Sequence, residues 1–204
     1  MNMDEISSIA SEAVIEARKR PYGNPLFPPS IYYSFYKVLA AAKKPKLSVV
    51  LGVCGGGDCL HLCLGNPEGI VVGVDNAWDH PEQIDHIKAT CRGFRFMLDD
   101  SILSAPKIFS LFGEIDVLFI DTVHLLENTL QEYSAYLPYL ADGAVVCFDD
   151  IFRPGMEEAW DTIPGPKQRF DFLHDGSPGV GGGFGVHIHS KETVIPPVGY
   201  ELGN

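Results

Sequence analysis

The chain has 204 residues, of which 46% are hydrophobic and 21% charged, a balance that predicts one globular domain with a full core. The formal net charge is −12, which argues against nucleic acid and an anionic membrane surface as partners, because both bind basic protein faces. A small molecule is therefore the expected partner.

Targeting and redox features indicate a cytoplasmic protein. Acidic residues come early in MNMDEISSIASEAV and no long apolar run follows, which is not the pattern of a secretory signal. No window reaches the roughly 18 apolar residues that a membrane-spanning helix needs. The five cysteines include no CxxC pair, which favours reduced core residues over a disulfide framework or a zinc site.

Two helices are predicted at the N-terminus. Apolar residues recur at helical spacing over residues 4–19, and Ser30 is placed to cap a second helix over 31–44, after a proline-rich connector over 20–30. We expect residues 1–45 to form a helical cap on the rest of the domain. The amphipathic first helix is either a lid or a dimer element, which leaves a homodimer open.

Strands and helices alternate from residue 46 to residue 190. Continuous apolar runs, typical of strands covered on both faces, lie at 47–53, 69–75, 94–98, 115–121 and 143–150. Helical stretches fall between them at 58–64, 81–90, 104–112 and 125–137. Near the end, RFDFLHD (169–175) and FGVHIHS (184–190) are predicted to pair across a glycine-rich turn. The pattern predicts a single α/β domain over 1–204, with a Rossmann-like, doubly wound, seven-stranded, mostly parallel sheet that ends in an antiparallel hairpin.

The stretch VVLGVCGGGDCL runs from a buried strand into a glycine turn. A GxGxxG dinucleotide fingerprint that starts at Gly52 would need glycine where Cys54 stands, and no GK[ST] follows for a P-loop. Asp58 at the helix start would repel a pyrophosphate. It suits the positively charged sulfonium of S-adenosylmethionine (SAM) better, so charge favours SAM over a nicotinamide cofactor.

An acidic residue follows each of the five predicted parallel strands. Ligands bind beyond the carboxyl ends of such strands, near the point where the strand order reverses. The acids in question are Asp58, Asp75, Asp99, Asp100, Asp121, Asp149 and Asp150. Asp75, followed by Asn76, is placed to accept both hydroxyl groups of a ribose, a feature that SAM and nicotinamide cofactors share.

With these residues in place, the chain resembles the class I SAM-dependent methyltransferases over roughly residues 30–190. It is most similar to the small O-methyltransferases, a branch with the catechol and caffeoyl-CoA methyltransferases and the cephalosporin-hydroxylase-like proteins. VLGVCGGGD matches the first motif, with Gly52 and Gly56 at its glycine positions. Val50 stands where the family has an acidic residue, and Asp58 is the candidate substitute.

The later motifs of that family are matched in order by VVGVDNAW, FMLDDSI, IDVLFIDTVH and LPYLADGAVVCFDDI. The resemblance implies transfer of a methyl group from SAM to an oxygen of a small-molecule acceptor. The implied cofactor-binding residues are Gly52, Val53, Cys54, Gly56, Asp58, Asp75, Asn76, Asp100, Ser101 and Asp121.

Three carboxylates, from Asp121, Asp149 and Asp150, converge if the fourth and fifth strands are neighbours. Such a cluster needs a balancing cation, and Mg²⁺ is the first choice, with Mn²⁺ or Ca²⁺ also suitable. In the metal-dependent branch that the chain resembles, three such positions hold the metal. The alternative is that Asp149 caps a turn and Asp150 faces solvent.

His124 lies three residues after Asp121, and these two are the predicted catalytic residues. His124 is a candidate general base, metal ligand or orienting partner, or simply a histidine at a helix start. Three rival functions therefore stay open. They are a metal-independent methyltransferase with His124 as base, a nicotinamide-dependent oxidoreductase, and a SAM-binding protein without catalysis.

Overall fold

The structure is a computed structural model that describes residues 1–19, 26–27, 30–170 and 182–192. The α-helices are α1 Met3–Arg18, α2 Ile31–Lys43, α3 Gly57–Gly65, α4 Pro81–Thr90, α5 Ala105–Phe112, α6 Leu126–Tyr136 and α7 Met156–Thr162, and a 3₁₀ turn spans Leu137–Tyr139. The strands are β1 Leu47–Leu51, β2 Ile70–Asp75, β3 Phe94–Leu98, β4 Ile115–Ile120, β5 Leu140–Phe148, β6 Lys167–Arg169 and β7 Gly185–Ile188.

The seven strands form one sheet in the order β3-β2-β1-β4-β5-β7-β6. Strands β1 to β5 are parallel, and β7 is antiparallel to both of its neighbours. This arrangement confirms the predicted mostly parallel, doubly wound sheet with a terminal hairpin. The strand order reverses between β1 and β4, so this is the edge where a ligand is expected.

Apolar side chains on the two faces of the sheet form two separate core clusters, because successive strand residues point to opposite faces. Val50 points into the cluster that contains side chains of α1 and α2, while Val49 and Leu51 point into the cluster beneath α5 and α6. All three are fully buried. Helices therefore cover both faces of β1 and fix the position of the turn that follows it.

The two predicted N-terminal helices are present and capped as their sequence indicates. In α1, the Asn2 side chain accepts a hydrogen bond from the Glu5 amide, and the Glu5 carboxylate accepts one from the Asn2 amide. Ser30 caps α2 by accepting a hydrogen bond from the amide of Tyr32. Tyr33 of α2 lies against Gly57, where any larger side chain would overlap the ring.

The structure differs from the predicted elements near the C-terminus. Helix α7 has no counterpart in the prediction, because its seven residues lie in a glycine- and proline-rich stretch and are too few to show helical periodicity. Strand β6 begins before the predicted 169–175 strand, and residues 171–175 lie outside the described part of the chain, as does most of the 20–30 connector. In the described residues, none of the helices has the length and apolar character needed to cross a membrane.

Candidate functional site

The glycine turn after β1 is shaped by contact with the end of β4. Gly52 has a φ of +81°, and a Cβ at this position would overlap the carbonyl oxygen of Asp121. Gly56, with a φ of +70°, begins helix α3, and a Cβ there would lie 2.5 Å from the Cδ1 atom of Ile87. The left-handed conformation favours glycine at both positions, and at Gly52 the backbone of Asp121 also leaves no space for a Cβ.

Asp75 at the end of β2 holds this turn in place. One carboxylate oxygen accepts hydrogen bonds from the amides of Val53 (2.8 Å) and Cys54 (2.9 Å). The other accepts a bond from the amide of Ala77 (3.1 Å). The carboxylate therefore orders the turn, and a ribose at Asp75 would share these oxygens with the backbone.

A pocket of roughly 270 Å³ opens at this edge of the sheet, close to the lower end of the range for small-molecule sites, about 300–1,000 Å³. Its lining residues are Gly52, Cys54, Val74, Asp75, Asn76, Asp100, Ser101, Asp121, Thr122, Val123, Asn128 and Glu132. Most of the predicted cofactor-binding residues are in this set. Val53, Gly56 and Asp58 are not, and the first two shape the turn instead.

Asp58 lies beside the turn and is only 5% exposed. Its Oδ1 atom accepts a hydrogen bond from the amide of Cys59 (2.7 Å). Burial raises the pKa of Asp58 to about 8, and the charge of Asp121 adds to the rise while the amide bond opposes it. Val50 is fully buried in the apolar core, so it places no polar group near the turn.

Glu132 of α6 is a lining residue that the sequence analysis does not identify. It is fully buried and accepts hydrogen bonds from the hydroxyls of Ser101 (2.5 Å) and Thr122 (2.8 Å). Burial raises the pKa of Glu132, and the hydroxyl donors partly offset the rise. The available signal was a glutamate on the same helical face as Tyr133 and Tyr136, a face that is otherwise suited to the core.

His124 stands among the three carboxylates predicted to converge. Its Nε2 atom lies 2.9 Å from Asp121, 3.8 Å from Asp149 and 3.6 Å from Asp150. The Asp150 carboxylate also pairs with the Nε atom of Arg153 (2.6 Å). His124 and Asp150 both have φ values near +50°, a left-handed conformation that is uncommon for residues other than glycine.

The charges in this cluster depend on one another. Burial alone would lower the pKa of His124, but hydrogen bonds to Asp121 and Asp149 raise it to about 9, so the imidazole is protonated at neutral pH. Burial raises the pKa of Asp121 to about 7. Burial also acts to raise the pKa of Asp149, but hydrogen bonds from His124 and Asp121 outweigh it, and the net shift is downward.

The donor set of the cluster fits a divalent cation. Asp121, His124 and Asp149 each offer one ligand atom, and these atoms lie within 4.8 Å of one another. The Oδ1 atom of Asp149 is buried and has no hydrogen-bond partner among the residues that the structure describes, which a cation would satisfy. Two carboxylates and an imidazole suit Mg²⁺ or Mn²⁺. Asp150 is held by Arg153 instead, and His124 takes its place in the group.

A family model described as a methyltransferase domain matches residues 49–151, half of the chain, from within β1 to just after β5. The chain therefore belongs to this family of methyltransferases, which confirms the resemblance stated above. The matched range contains the glycine turn, the pocket and the acidic cluster. No curated protein matches the chain.

Solved structures of methyltransferases share the fold. The O-methyltransferase TomG from Streptomyces achromogenes, in complex with SAM, is 15% identical, with a TM-score of 0.67 and coverage of 89% of each chain. An O-methyltransferase from Bacillus cereus, in complex with SAH, is 16% identical, with a TM-score of 0.62 and coverage of 89% of this chain and 90% of that one. At these identities the likeness establishes the architecture.

Proposed function

We propose that this methyltransferase transfers the methyl group of SAM to an oxygen of a small-molecule acceptor, with a divalent cation at Asp121, His124 and Asp149. The observation that carries the proposal is the position of Asp121. This residue lines the pocket beside the glycine turn, and its side chain contacts His124 in the acidic cluster. A cofactor in the pocket and an acceptor at the cluster would therefore meet at this residue.

The proposed cofactor position follows from the polar groups of the pocket. Asp75 lies beside the turn and would accept hydrogen bonds from the ribose, while Asp100 and Ser101 lie further along the same edge and would face the base. The acidic lining of the pocket, with Asp75, Asp100 and Asp121, favours the sulfonium over an anionic group. The solved structures that hold SAM or its product SAH support this choice of cofactor.

The acidic cluster would position the acceptor and control its proton. A divalent cation held by Asp121, His124 and Asp149 would lower the pKa of a substrate hydroxyl. His124 is protonated at neutral pH, so it must lose this proton before its Nε2 atom can act as a ligand. That proton lies between His124 Nε2 and Asp121 Oδ1, which are 2.9 Å apart, and a bound cation would take its place between the two side chains. The O-methyltransferases among the structural neighbours support oxygen as the methylated atom.

A metal-independent methyltransferase is the second candidate, and one observation favours it. The protonated His124 already places a positive charge among three carboxylates, which is the role that a cation would fill. In this alternative, His124 first loses its own proton, to solvent or to a neighbouring carboxylate, and then accepts the proton of the acceptor hydroxyl as the base, and turnover continues in a chelator. Loss of turnover in EDTA, with recovery on adding Mg²⁺, would exclude it.

The other features of the proposal concern partners and organisation. The acceptor is a small molecule, nucleic acid and membrane are not partners, and residues 1–204 form one domain with 1–45 as a cap over the 46–190 core. A homodimer through α1 remains a prediction, and size-exclusion chromatography with light scattering would test it.

Isothermal titration of SAM into the dialysed protein, with and without Mg²⁺, tests the proposal directly. We expect micromolar binding by the unmodified protein. An Asp75→Asn variant should bind at least tenfold more weakly, because it loses the charge that accepts the ribose hydroxyls. Asp79→Asn is the matched control, since Asp79 is exposed on the same edge but does not line the pocket.

A second titration, of Mn²⁺ into the protein, tests the cation site. Asp149→Asn should abolish the Mn²⁺ heat while SAM binding persists, because Asp149 is not a pocket residue. Absence of SAM binding under every condition would overturn the methyl-transfer proposal. SAM binding without any metal heat would favour the metal-independent alternative.

A further inference from the structure

We propose that Glu132 is a specificity-determining residue that makes the pocket select a 6-amino purine over a 6-oxo purine, by fixing Ser101 as a hydrogen-bond acceptor. The inference rests on the proposed function, since it concerns the base of the SAM that the pocket would hold. Glu132 acts through Ser101 and does not touch the reacting atoms. Its position on α6 lies outside the motifs that the sequence identifies.

The hydrogen bonds around Glu132 have a defined direction. A carboxylate only accepts, so the Ser101 hydroxyl must donate its single proton to the Oε1 atom, at 2.5 Å. Thr122 donates its proton to the Oε2 atom, at 2.8 Å. Asn128 donates to the Thr122 hydroxyl oxygen, at 3.1 Å, which keeps the Thr122 proton directed at Glu132. Both hydroxyl protons are therefore committed to one buried carboxylate.

The consequence is a pocket edge made of acceptors. Ser101 has only lone pairs left to offer, because its proton is used by Glu132. Asp100, beside it, is a carboxylate whose Oδ1 atom accepts from the amides of Ile102 and Leu103 (both 2.9 Å) and orients the group. An exocyclic amino group would be satisfied here. A carbonyl oxygen in the same place would face acceptors and remain unpaired, which is costly in a confined site.

The Glu132→Gln substitution would reverse the direction of the hydrogen bond between position 132 and the Ser101 hydroxyl. Asn128 holds the Thr122 proton toward position 132, so the amide oxygen of the glutamine would face Thr122 and its NH₂ group would face Ser101. Ser101 would then accept from the amide, and its own proton would be free to point into the pocket. The variant would thus present a donor to the base without a change in size.

The experiment compares two ligands, S-adenosyl-L-homocysteine and S-inosyl-L-homocysteine, by isothermal titration. The unmodified protein should bind the adenosyl ligand at least tenfold more tightly. In Glu132→Gln this ratio should fall to about threefold or less, with a gain in affinity for the inosyl ligand. Ser101→Ala should also lower the ratio, because it weakens binding of the adenosyl ligand alone.

If Glu132 had a purely structural role, Glu132→Gln would weaken binding of both ligands equally and leave the affinity ratio unchanged. That result would overturn the inference. An unchanged ratio in Ser101→Ala also overturns the inference, and this variant remains informative even if substitution of the buried Glu132 prevents folding. A Glu127→Gln variant, at an exposed position of the same helix outside the pocket, should behave as the unmodified protein. If neither ligand binds the unmodified protein, the proposed function itself fails, which is distinguishable from binding with an unaltered ratio.

Discussion

The two halves of the sheet's carboxyl edge use the same residue type in different ways. On the cofactor half, beyond β1 to β3, the carboxylates of Asp75 and Asp100 accept hydrogen bonds from backbone amides. On the acceptor half, beyond β4 and β5, Asp121 and Asp149 depend on each other and on His124. Strand-end aspartates bound mainly by backbone amides keep a fixed position, whereas those that share protons with other side chains are suited to bind a cation or exchange a proton.

The two halves of the edge should respond differently to pH. The amide-bound carboxylates are held by backbone donors, which do not titrate. The clustered carboxylates change their partners as protons enter or leave, since His124 has a pKa raised to about 9 and Asp121 a pKa raised to about 7. We therefore expect the cofactor half to tolerate pH changes that reorganise the acceptor half.

The largest expected effect is at the boundary of the two halves. Gly52→Ala places a methyl group onto the Asp121 carbonyl oxygen and forces alanine into a left-handed conformation. The conformation alone costs about 1–2 kcal/mol, and with the overlap we expect destabilisation of roughly 3 kcal/mol or more. Chemical denaturation measures the change, and SAM titration should show no binding.

Gly55→Ala is the matched control for this substitution, three residues further along the same turn. A Cβ at Gly55 meets no atom within 4 Å, and its φ is outside the left-handed region. Its stability should stay within about 0.5 kcal/mol of the unmodified protein. An equal loss of stability in both variants would show that the whole turn does not tolerate side chains. The contact between Gly52 and the end of β4 would then not be the cause of the loss.

Asp58 is the exception to this comparison, because it lies on the cofactor half and accepts an amide hydrogen bond, yet burial outweighs that bond and raises its pKa. Its folded pKa of about 8 is above the ordinary value, so its contribution to stability is full below pH 4 and is lost as pH rises toward 8. Asp58→Asn avoids the buried charge. We expect it to match the unmodified protein near pH 4 and to exceed it by about 3–5 kcal/mol at pH 9.

Denaturation at the two pH values, without SAM, measures that difference, with the exposed Asp79→Asn as control. A variant that is less stable at pH 9 would mean that ionised Asp58 has a counter-charge in the folded protein. In that case Asp58 would be ionised beside the pocket. It could then substitute for the acidic residue that the family has where this chain has Val50.

The fold could be predicted in most of its parts because β-strands buried on both faces leave continuous apolar runs. The strand at 94–98 and the helix at 81–90 match the structure residue for residue. Helix α7 could not be predicted, because its stability comes from tertiary contacts. Trp160, for example, packs edge-on against Phe148, with 5.9 Å between ring centroids, a contact that leaves no local pattern.

The site was predictable where residues follow strands and hidden where they come from helices. Asp75, Asp100 and Asp121 share the pocket because parallel strands bring their ends to one edge. Glu132 lies in the middle of α6, and only the three-dimensional packing shows that it reaches Ser101. The ion pair between Asp150 and Arg153 could not be predicted either, since the sequence does not show which nearby charge a carboxylate contacts.

His124 offers a smaller, pH-dependent effect on the acceptor half. Its folded pKa of about 9 is above the ordinary 6.5, so its stabilising contribution is full below pH 6.5 and is lost as pH rises through 9. Because the side chain is partly solvated, we expect His124→Gln to lose about 2 kcal/mol at pH 6. The deficit should vanish near pH 10.

Denaturation in EDTA across pH 6–10 measures this effect, and an NMR titration of the imidazole gives the pKa itself. A deficit that is constant with pH would assign His124 a packing role in place of a charge-balancing one. A pKa of His124 that returns to its ordinary range in Asp121→Asn would identify Asp121 as the main source of the shift.

The smallest expected effect concerns Cys54, where the sequence departs from a complete GxGxxG. Cys54 has a φ of +46°, so the backbone already takes a conformation that glycine favours, while its amide donates to Asp75. Cys54→Gly removes about 1–2 kcal/mol of conformational cost and adds roughly 0.5–1 kcal/mol of unfolded-chain entropy, for a net gain of about 0.5 kcal/mol. Denaturation measures the gain, and fluorescence titration should still show no NADH binding, because the acidic pocket and not the missing glycine disfavours a pyrophosphate. NADH binding by the variant would show the reverse, that one residue in the turn decides the cofactor.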